Sequence, residues 1–156
     1  MPGAFFDSSA VAKLYHEEAG TKTVEARVVL LRLTGDGAYI SRLVVLEVQS
    51  VFAKKVRSGE LSKADAQLVR DRFLRDIQVR SPWRVAALHP RHFQAAEVLI
   101  QIHGDTYAIR TLDALQLAVA LDLRDRGFSD TFVSADRSLC NLAAVVGLQV
   151  MNPEGA

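Results

Sequence analysis

Short apolar runs alternate with longer amphipathic segments along this chain. Ala4 to Phe6, Ala38 to Ile40, Trp83 to Leu88, Thr131 to Ser134 and Leu148 to Val150 have the length and residue types of strands. Between them, apolar residues recur at helical spacing. The first helix is expected to start at Ser8 or Ser9, both good N-caps, to run through Val11, Leu14 and Tyr15, and to end by Gly20. Thr21 to Leu33 predicts a second helix, broken by Gly35-Asp36-Gly37. Ser41 caps a helix of about four turns over Arg42 to Arg57. Ser62-Lys63-Ala64-Asp65 resembles a capping box and opens a helix to about Ile77. Pro90 suits the first turn of the next helix, which breaks at Gly104-Asp105. Thr111 caps Leu112 to Arg126, and Asp136 to Val146 forms a last short helix. Apolar strands alternating with helices predict a three-layer α/β/α domain around a mainly parallel sheet of about five short strands, with right-handed crossovers.

Composition adds boundaries to this picture. The chain has 156 residues, 49% hydrophobic and 24% charged, which suits a single globular domain over 1–156 with its own core. A formal net charge of +1 neither demands nor excludes a nucleic-acid partner, so any basic surface must be assembled by the fold. The single cysteine, Cys140, excludes an intrachain disulfide and a multi-cysteine zinc site. No apolar run approaches the roughly 20 residues that span a bilayer. The first residues lack the pattern of a signal peptide, so a cytoplasmic location is expected.

Four carboxylates then change the reading from fold to chemistry. Asp7 and Asp136 each follow a strand candidate, and ligands of open parallel sheets bind beyond the carboxyl ends of strands. Glu47 has Leu43, Val44, Val48 and Val51 at helical spacing, so it lies on the face expected to enter the core. Gln49, Lys54 and Lys55 define the opposite, solvated face. Asp113 sits in the first turn of an almost wholly apolar helix. There it complements the helix dipole, by itself a sufficient structural reason for an acid. A buried ionised acid is costly unless compensated, and a divalent cation compensates several at once. Carboxylate oxygens suit Mg²⁺ or Mn²⁺, and phosphodiester hydrolysis is the natural chemistry of such a cluster.

These segments resemble the PIN-domain ribonucleases. Phe5-Phe6-Asp7-Ser8-Ser9-Ala10 is similar to the family's opening, and Leu46-Glu47-Val48 to its second acid. Thr111-Leu112-Asp113-Ala114-Leu115-Gln116-Leu117-Ala118 is similar to its most recognisable block, and Phe132-Val133-Ser134-Ala135-Asp136-Arg137-Ser138-Leu139 to its last. Each block is weak alone; four in order over nearly the whole chain are fairly specific. Within the family the chain looks most like the VapC toxins of toxin–antitoxin pairs. The resemblance implies an Mg²⁺- or Mn²⁺-dependent endoribonuclease, a cognate antitoxin partner and a homodimer. It also implies Asp7, Glu47, Asp113 and Asp136 as the catalytic and metal-binding acids, with Ser134 in support. Ser8 is read as a cap and as a neighbour of the metal site. Asp7 and Asp113 are expected to hold the principal metal, and Glu47 and Asp136 to position water or a second ion.

Two other readings stay open: a PIN-like module that binds RNA or protein without cutting, and a non-toxin PIN nuclease in RNA processing. A phosphoacceptor role is disfavoured, because Asp7-Ser8-Ser9 lacks a second acid two residues on and no lysine follows Lys63. Lys54-Lys55-Val56-Arg57 and Arg70, Arg72 and Arg75 are candidate phosphate contacts, equally well read as solvated helix faces. Glu17-Glu18 and Asp122 read as surface acids. The apolar faces of the first three helices are candidates either for core or for a partner groove.

Overall fold

The computed structural model describes residues 2–155. Five strands, β1 (Gly3–Phe6), β2 (Ala38–Ser41), β3 (Trp83–Ala86), β4 (Ser129–Val133) and β5 (Gln149–Met151), form one sheet in the order β3-β2-β1-β4-β5. All four pairings are parallel, so the sheet is wholly rather than mainly parallel. Seven helices surround it among the described residues: α1 (Ser8–Ala12), α2 (Thr21–Thr34), α3 (Arg42–Arg57), α4 (Lys63–Val79), α5 (Pro90–His103), α6 (Thr111–Asp125) and α7 (Arg137–Val145). None is long and apolar enough to cross a membrane.

The two-residue period of the strands divides the core. Ala4 and Phe6 of β1, Ile40 of β2 and Val133 of β4 face α1 to α4. Phe5 and Phe132 stack at 5.8 Å on the other face, against α5, α6 and α7. This makes the three layers. Gly3 is required where β1 enters the sheet: a Cβ there would lie 2.2 Å from the Gly37 carbonyl oxygen.

Several local expectations shift. The first helix stops at Ala12 instead of running to Gly20, and its N-cap is Asp7, not Ser8 or Ser9. Tertiary bonds take over beyond Ala12. Thr21 Oγ1 donates to the Lys13 carbonyl at 2.9 Å, and Tyr15 donates to Asp76 while accepting from Trp83 Nε1 at 2.8 Å. The N-cap of α6 is Arg110, not Thr111, because the Asp113 side chain reaches back to the Arg110 amide. β3 ends at Ala86 rather than Leu88.

Lys55 is not on a solvated face. It is buried, bonded to Glu18 at 2.8 Å and to His16 Nδ1 at 3.0 Å. Glu18 also accepts from buried Lys13 at 3.2 Å, so it is a bridging acid rather than a free surface one. Asp122 is likewise a hub: it meets Arg91 at 3.0 Å, buried His92 at 2.8 Å and Arg126 at 3.5 Å.

Candidate active site

β1 and β4 are neighbours, but the chain leaves β1 toward β2 and β3 and later returns to build β4 and β5 on the other side. A crevice therefore opens between the carboxyl ends of β1 and β4, where the direction of winding reverses. Asp7 follows β1 directly, and its amide donates to the Val133 carbonyl of β4 at 3.1 Å. Asp136 stands three residues beyond β4. Both acids cap the helices that begin there. Asp7 Oδ1 accepts from the Ala10 amide at 3.0 Å, and Asp136 Oδ1 from the Leu139 amide at 3.1 Å.

Asp7 is only 6% exposed and is bound by two hydroxyls. Ser9 Oγ donates to its Oδ1 at 2.6 Å, and fully buried Ser134 donates to its Oδ2. Ser9 Oγ in turn accepts the Ala135 amide of the opposite loop at 3.0 Å, and Ser134 Oγ accepts the Asp136 amide of its own loop at 3.0 Å. The two loops are thus stitched across the crevice with Asp7 in the middle. Burial pushes the Asp7 carboxyl above its ordinary value. The bonds from Ser134, Ser9 and Ala10 draw it down without cancelling the rise, and the negative charge of Asp136 adds to it.

Glu47 is brought in by the second turn of α3. Its Oε1 accepts a short hydrogen bond from Gln116 Nε2, and Gln116 Oε1 accepts from Ser41 Oγ at 2.7 Å. Burial raises the Glu47 carboxyl; the Gln116 bond opposes this, and the charges of Asp7 and Asp113 reinforce it. Asp113 accepts from the Arg110 amide at 3.3 Å and from its guanidinium Nε at 3.4 Å, the latter on an 82% exposed side chain. Asp113 and Asp136 line one small cleft with Tyr107, Ile109 and Leu139. Ser8 lies beside Glu47 in a groove of about 380 Å³ with Leu46, Ser50, Lys54, Arg57 and Leu112.

All four acids are therefore electrostatic neighbours around one sheet edge. They do not converge on a single point. Among the described residues, no three His, Cys, Asp or Glu side chains stand as a group that could hold one ion. Each acid is instead turned to its local donors. The donor chemistry still fits a hard cation, since the set is all carboxylate oxygen and neither Asp7 nor Glu47 is offset by a bonded cationic side chain.

Ser9 and Gln116, with Ser41 bonded behind Gln116, are the partners of these acids that sequence reasoning passed over. Gln116 carried a signal: it is the one polar residue within the apolar run Ala114 to Ala120, three positions after Asp113. Ser9 was visible only as a cap. Its role depends on β4 lying beside β1.

The family comparisons agree with this geometry. The model for the PIN domain matches residues 4–145. Among solved structures, VapBC2 from Rickettsia felis, bound to a DNA fragment from its promoter, superimposes with TM-score 0.68 at 15% identity, covering 96% of this chain and 98% of that one. VapC20 from Mycobacterium tuberculosis, described as a Sarcin-Ricin loop cleaving toxin, gives 0.61 at 18% identity, with 93% and 95% covered. FitAcB from Neisseria gonorrhoeae gives 0.62 at 16% identity, with 96% and 97% covered. At these identities the likeness is one of fold. No curated protein sequence matches the chain significantly. With a family model spanning most of its length and a parallel sheet carrying acids at its crossover, the chain belongs to the PIN-domain family.

Proposed function

We propose that this protein is a divalent-metal-dependent endoribonuclease and the toxin of a toxin–antitoxin pair. One observation carries the nuclease reading most directly. Asp7 is a buried carboxylate at the sheet crossover, bound only by neutral donors and surrounded by like charge. Structural acids in this same molecule are treated differently, as Glu18 between two lysines demonstrates.

In this reading Asp7 and Asp113 hold the principal metal, and Glu47 and Asp136 orient water or complete a second position. Ser134 and Ser9 keep the Asp7 carboxylate in the crevice, and Gln116 fixes Glu47. A bound Mg²⁺ or Mn²⁺ would neutralise charge on the phosphoryl group and lower the pKa of an attacking water. Mutual repulsion of the acids would favour cation binding.

The toxin assignment is supported by VapC20, described as a Sarcin-Ricin loop cleaving toxin, and by VapBC2 and FitAcB among the structural relatives. The antitoxin, the RNA substrate, a homodimer and a cytoplasmic location come to this chain as parts of the same proposal. Exposed apolar residues on α2 (Val29, Leu30, Leu33) and α3 (Leu46) offer surface for a protein partner.

The decisive experiment is cleavage of RNA by the full chain with Mg²⁺ or Mn²⁺, comparing wild type with Asp7→Asn and Asp113→Asn. Wild-type cleavage lost in both folded variants is the expected result; unchanged cleavage in them overturns the site. A second reading, a PIN scaffold that binds without cutting, is favoured by one feature: the acids are held by local donors and do not converge. Metal-dependent stabilisation without cleavage of diverse RNAs would select it.

A further inference from the structure

Some basic side chains of this protein are ion-paired. Lys13, Lys55, Arg91, Arg110, Arg124 and Arg126 each have a carboxylate within 4 Å. Three of the arginines outside such pairs share one site. Arg42, Arg80 and Arg84 line one groove of about 560 Å³ with Ile77 and Val85, and no acidic residue lines it. None of the three has a carboxylate partner among the described residues. All three are exposed. Arg84 is nevertheless held: its guanidinium lies 5.8 Å from the Tyr39 ring centroid, and Nη1 donates to the Tyr39 hydroxyl at 3.4 Å. Arg80 is the one non-glycine with positive φ, 55°, among the described residues. A left-handed conformation at a helix end normally selects glycine and costs a side-chain-bearing residue about 1–2 kcal/mol.

The placement of the groove relates it to the acids. Arg42 directly follows Ser41, which bonds Gln116, which bonds Glu47. Arg42 and Glu47 are five residues apart on α3, about 7–8 Å of helical rise. Beyond Glu47, the groove next to it carries Lys54 and Arg57, also exposed and without a carboxylate partner within 4 Å. Positive charge therefore starts at the acidic edge on two sides: Lys54 and Arg57 lie beside Glu47, and Arg42 stands at the carboxyl end of β2, from which Arg84 and then Arg80 lead along β3 toward the amino ends of the strands. An acidic site that repels a polyanion needs such flanks to hold it.

We infer that Arg42, Arg80 and Arg84 form a phosphate-binding subsite for a single-stranded RNA that leaves the acidic edge at Arg42 and runs along β3, several nucleotides from the bond to be cut. Guanidinium groups fit this ligand because they bind phosphate oxygens bidentately and keep their charge. The edge position of β3 leaves the groove open along its length, as a continuous strand requires. The inference rests on the reading of the chain as an RNA-acting protein.

The test is fluorescence anisotropy of the full chain with a labelled single-stranded RNA in EDTA, so that binding is read without cleavage. Arg42→Gln/Arg80→Gln/Arg84→Gln should weaken binding by about tenfold or more and flatten the dependence of log K on log salt by about 2, near 0.7 for each lost contact. Arg42→Gln/Arg84→Gln, which leaves the α4 cap untouched, should flatten it by about 1.4. A charge-matched control on exposed sites elsewhere, Lys22→Gln/Arg32→Gln/Lys63→Gln, should leave the slope unchanged.

Wild-type affinity and slope in the arginine variants would overturn the subsite. Displacement of the RNA by inorganic phosphate far beyond that by chloride of equal ionic strength would also overturn it, in favour of an isolated anion site. The two readings fail separately. If wild type cleaves RNA but the variants bind normally, the subsite is wrong and the nuclease stands. If wild type cleaves nothing but the variants lose binding, the reverse holds.

Discussion

Two regions of this molecule bury charge, and they do so in opposite ways. Behind α1, Lys13 is 3% and Lys55 7% exposed, yet every charge there faces its opposite: Glu18 bridges both lysines, with Glu60 and Glu154 at the rim. At the sheet crossover, Asp7 is 6% exposed and meets only hydroxyls, amides and other acids. The first arrangement is electrostatically closed and pins the loop from Lys13 to Thr21. The second carries no bonded counter-charge. Burial acts in the same direction on both sets of acids. It is outweighed at Glu18 by the Lys55 bond and the Lys13 charge, which hold the carboxyl below its usual range, and it prevails at Asp7 and Glu47.

The sharpest way to break this comparison is to neutralise one acid from each region. Asp7→Asn should lower RNA cleavage at least about a hundredfold, the scale for removing a preorganised electrostatic group. It should leave the melting temperature within a few degrees of wild type. Glu18→Gln should do the opposite, costing about 2–3 kcal/mol in a denaturant titration. That is below the range for a fully buried pair because Glu18 is partly exposed, but two buried lysines lose their common partner. Cleavage by the folded Glu18 variant should match wild type. If Asp7→Asn unfolds the protein and Glu18→Gln does not, the two regions have been assigned the wrong way round.

Metal addition should separate them next. Mg²⁺ or Mn²⁺ at ten to thirty times its dissociation constant should stabilise wild type by about 1.4–2 kcal/mol through preferential binding to the folded state. Glu18→Gln should show the same increment and Asp7→Asn a much smaller one in thermal scans. Equal increments in all three proteins would show that the ion binds elsewhere.

The smallest effect is in pH. The metal-free fold has raised carboxyls at Asp7 and Glu47, so it binds more protons there than the unfolded chain does. Their stabilising contribution is full below the ordinary values, 3.8 and 4.5, and is lost as pH rises through the raised folded values. Glu18, held low, contributes above its ordinary 4.5 and loses that contribution as pH falls through its depressed value. Stability curves against pH should therefore lose part of their falling limb in Asp7→Asn, the Glu47 share remaining, and part of their acid limb in Glu18→Gln. Saturating Mg²⁺ should remove the falling limb from wild type.

Much of this was legible in the linear sequence. Strand positions, the starts of α2, α3 and α5, and the placement of Asp7 and Asp136 after strands follow from apolar runs and caps that act over a few residues. The apolar neighbourhood of Glu47 correctly marked it as an acid drawn toward the interior, and its carboxyl is half-buried. Lys55 was misread because α3 packs against the loop after α1, which no helical periodicity reveals. The first helix was overextended because Tyr15 is pulled toward Asp76 and Trp83, 61 and 68 positions away. Ser9 and Gln116 looked like a cap and an isolated amide until β4 and α3 were placed beside them.

The sequence by itself determined the alternation of strands and helices, the acids at the strand ends and the resemblance to PIN nucleases, because these depend on local periodicity and short motifs. Only the tertiary structure decided which charges are compensated. That depends on the field at each carboxylate, summed over groups brought close by the sheet order and by helix packing. Those distances turned Glu18 into a structural bridge, left Asp7 without a counter-charge, and gathered three arginines into one groove along β3.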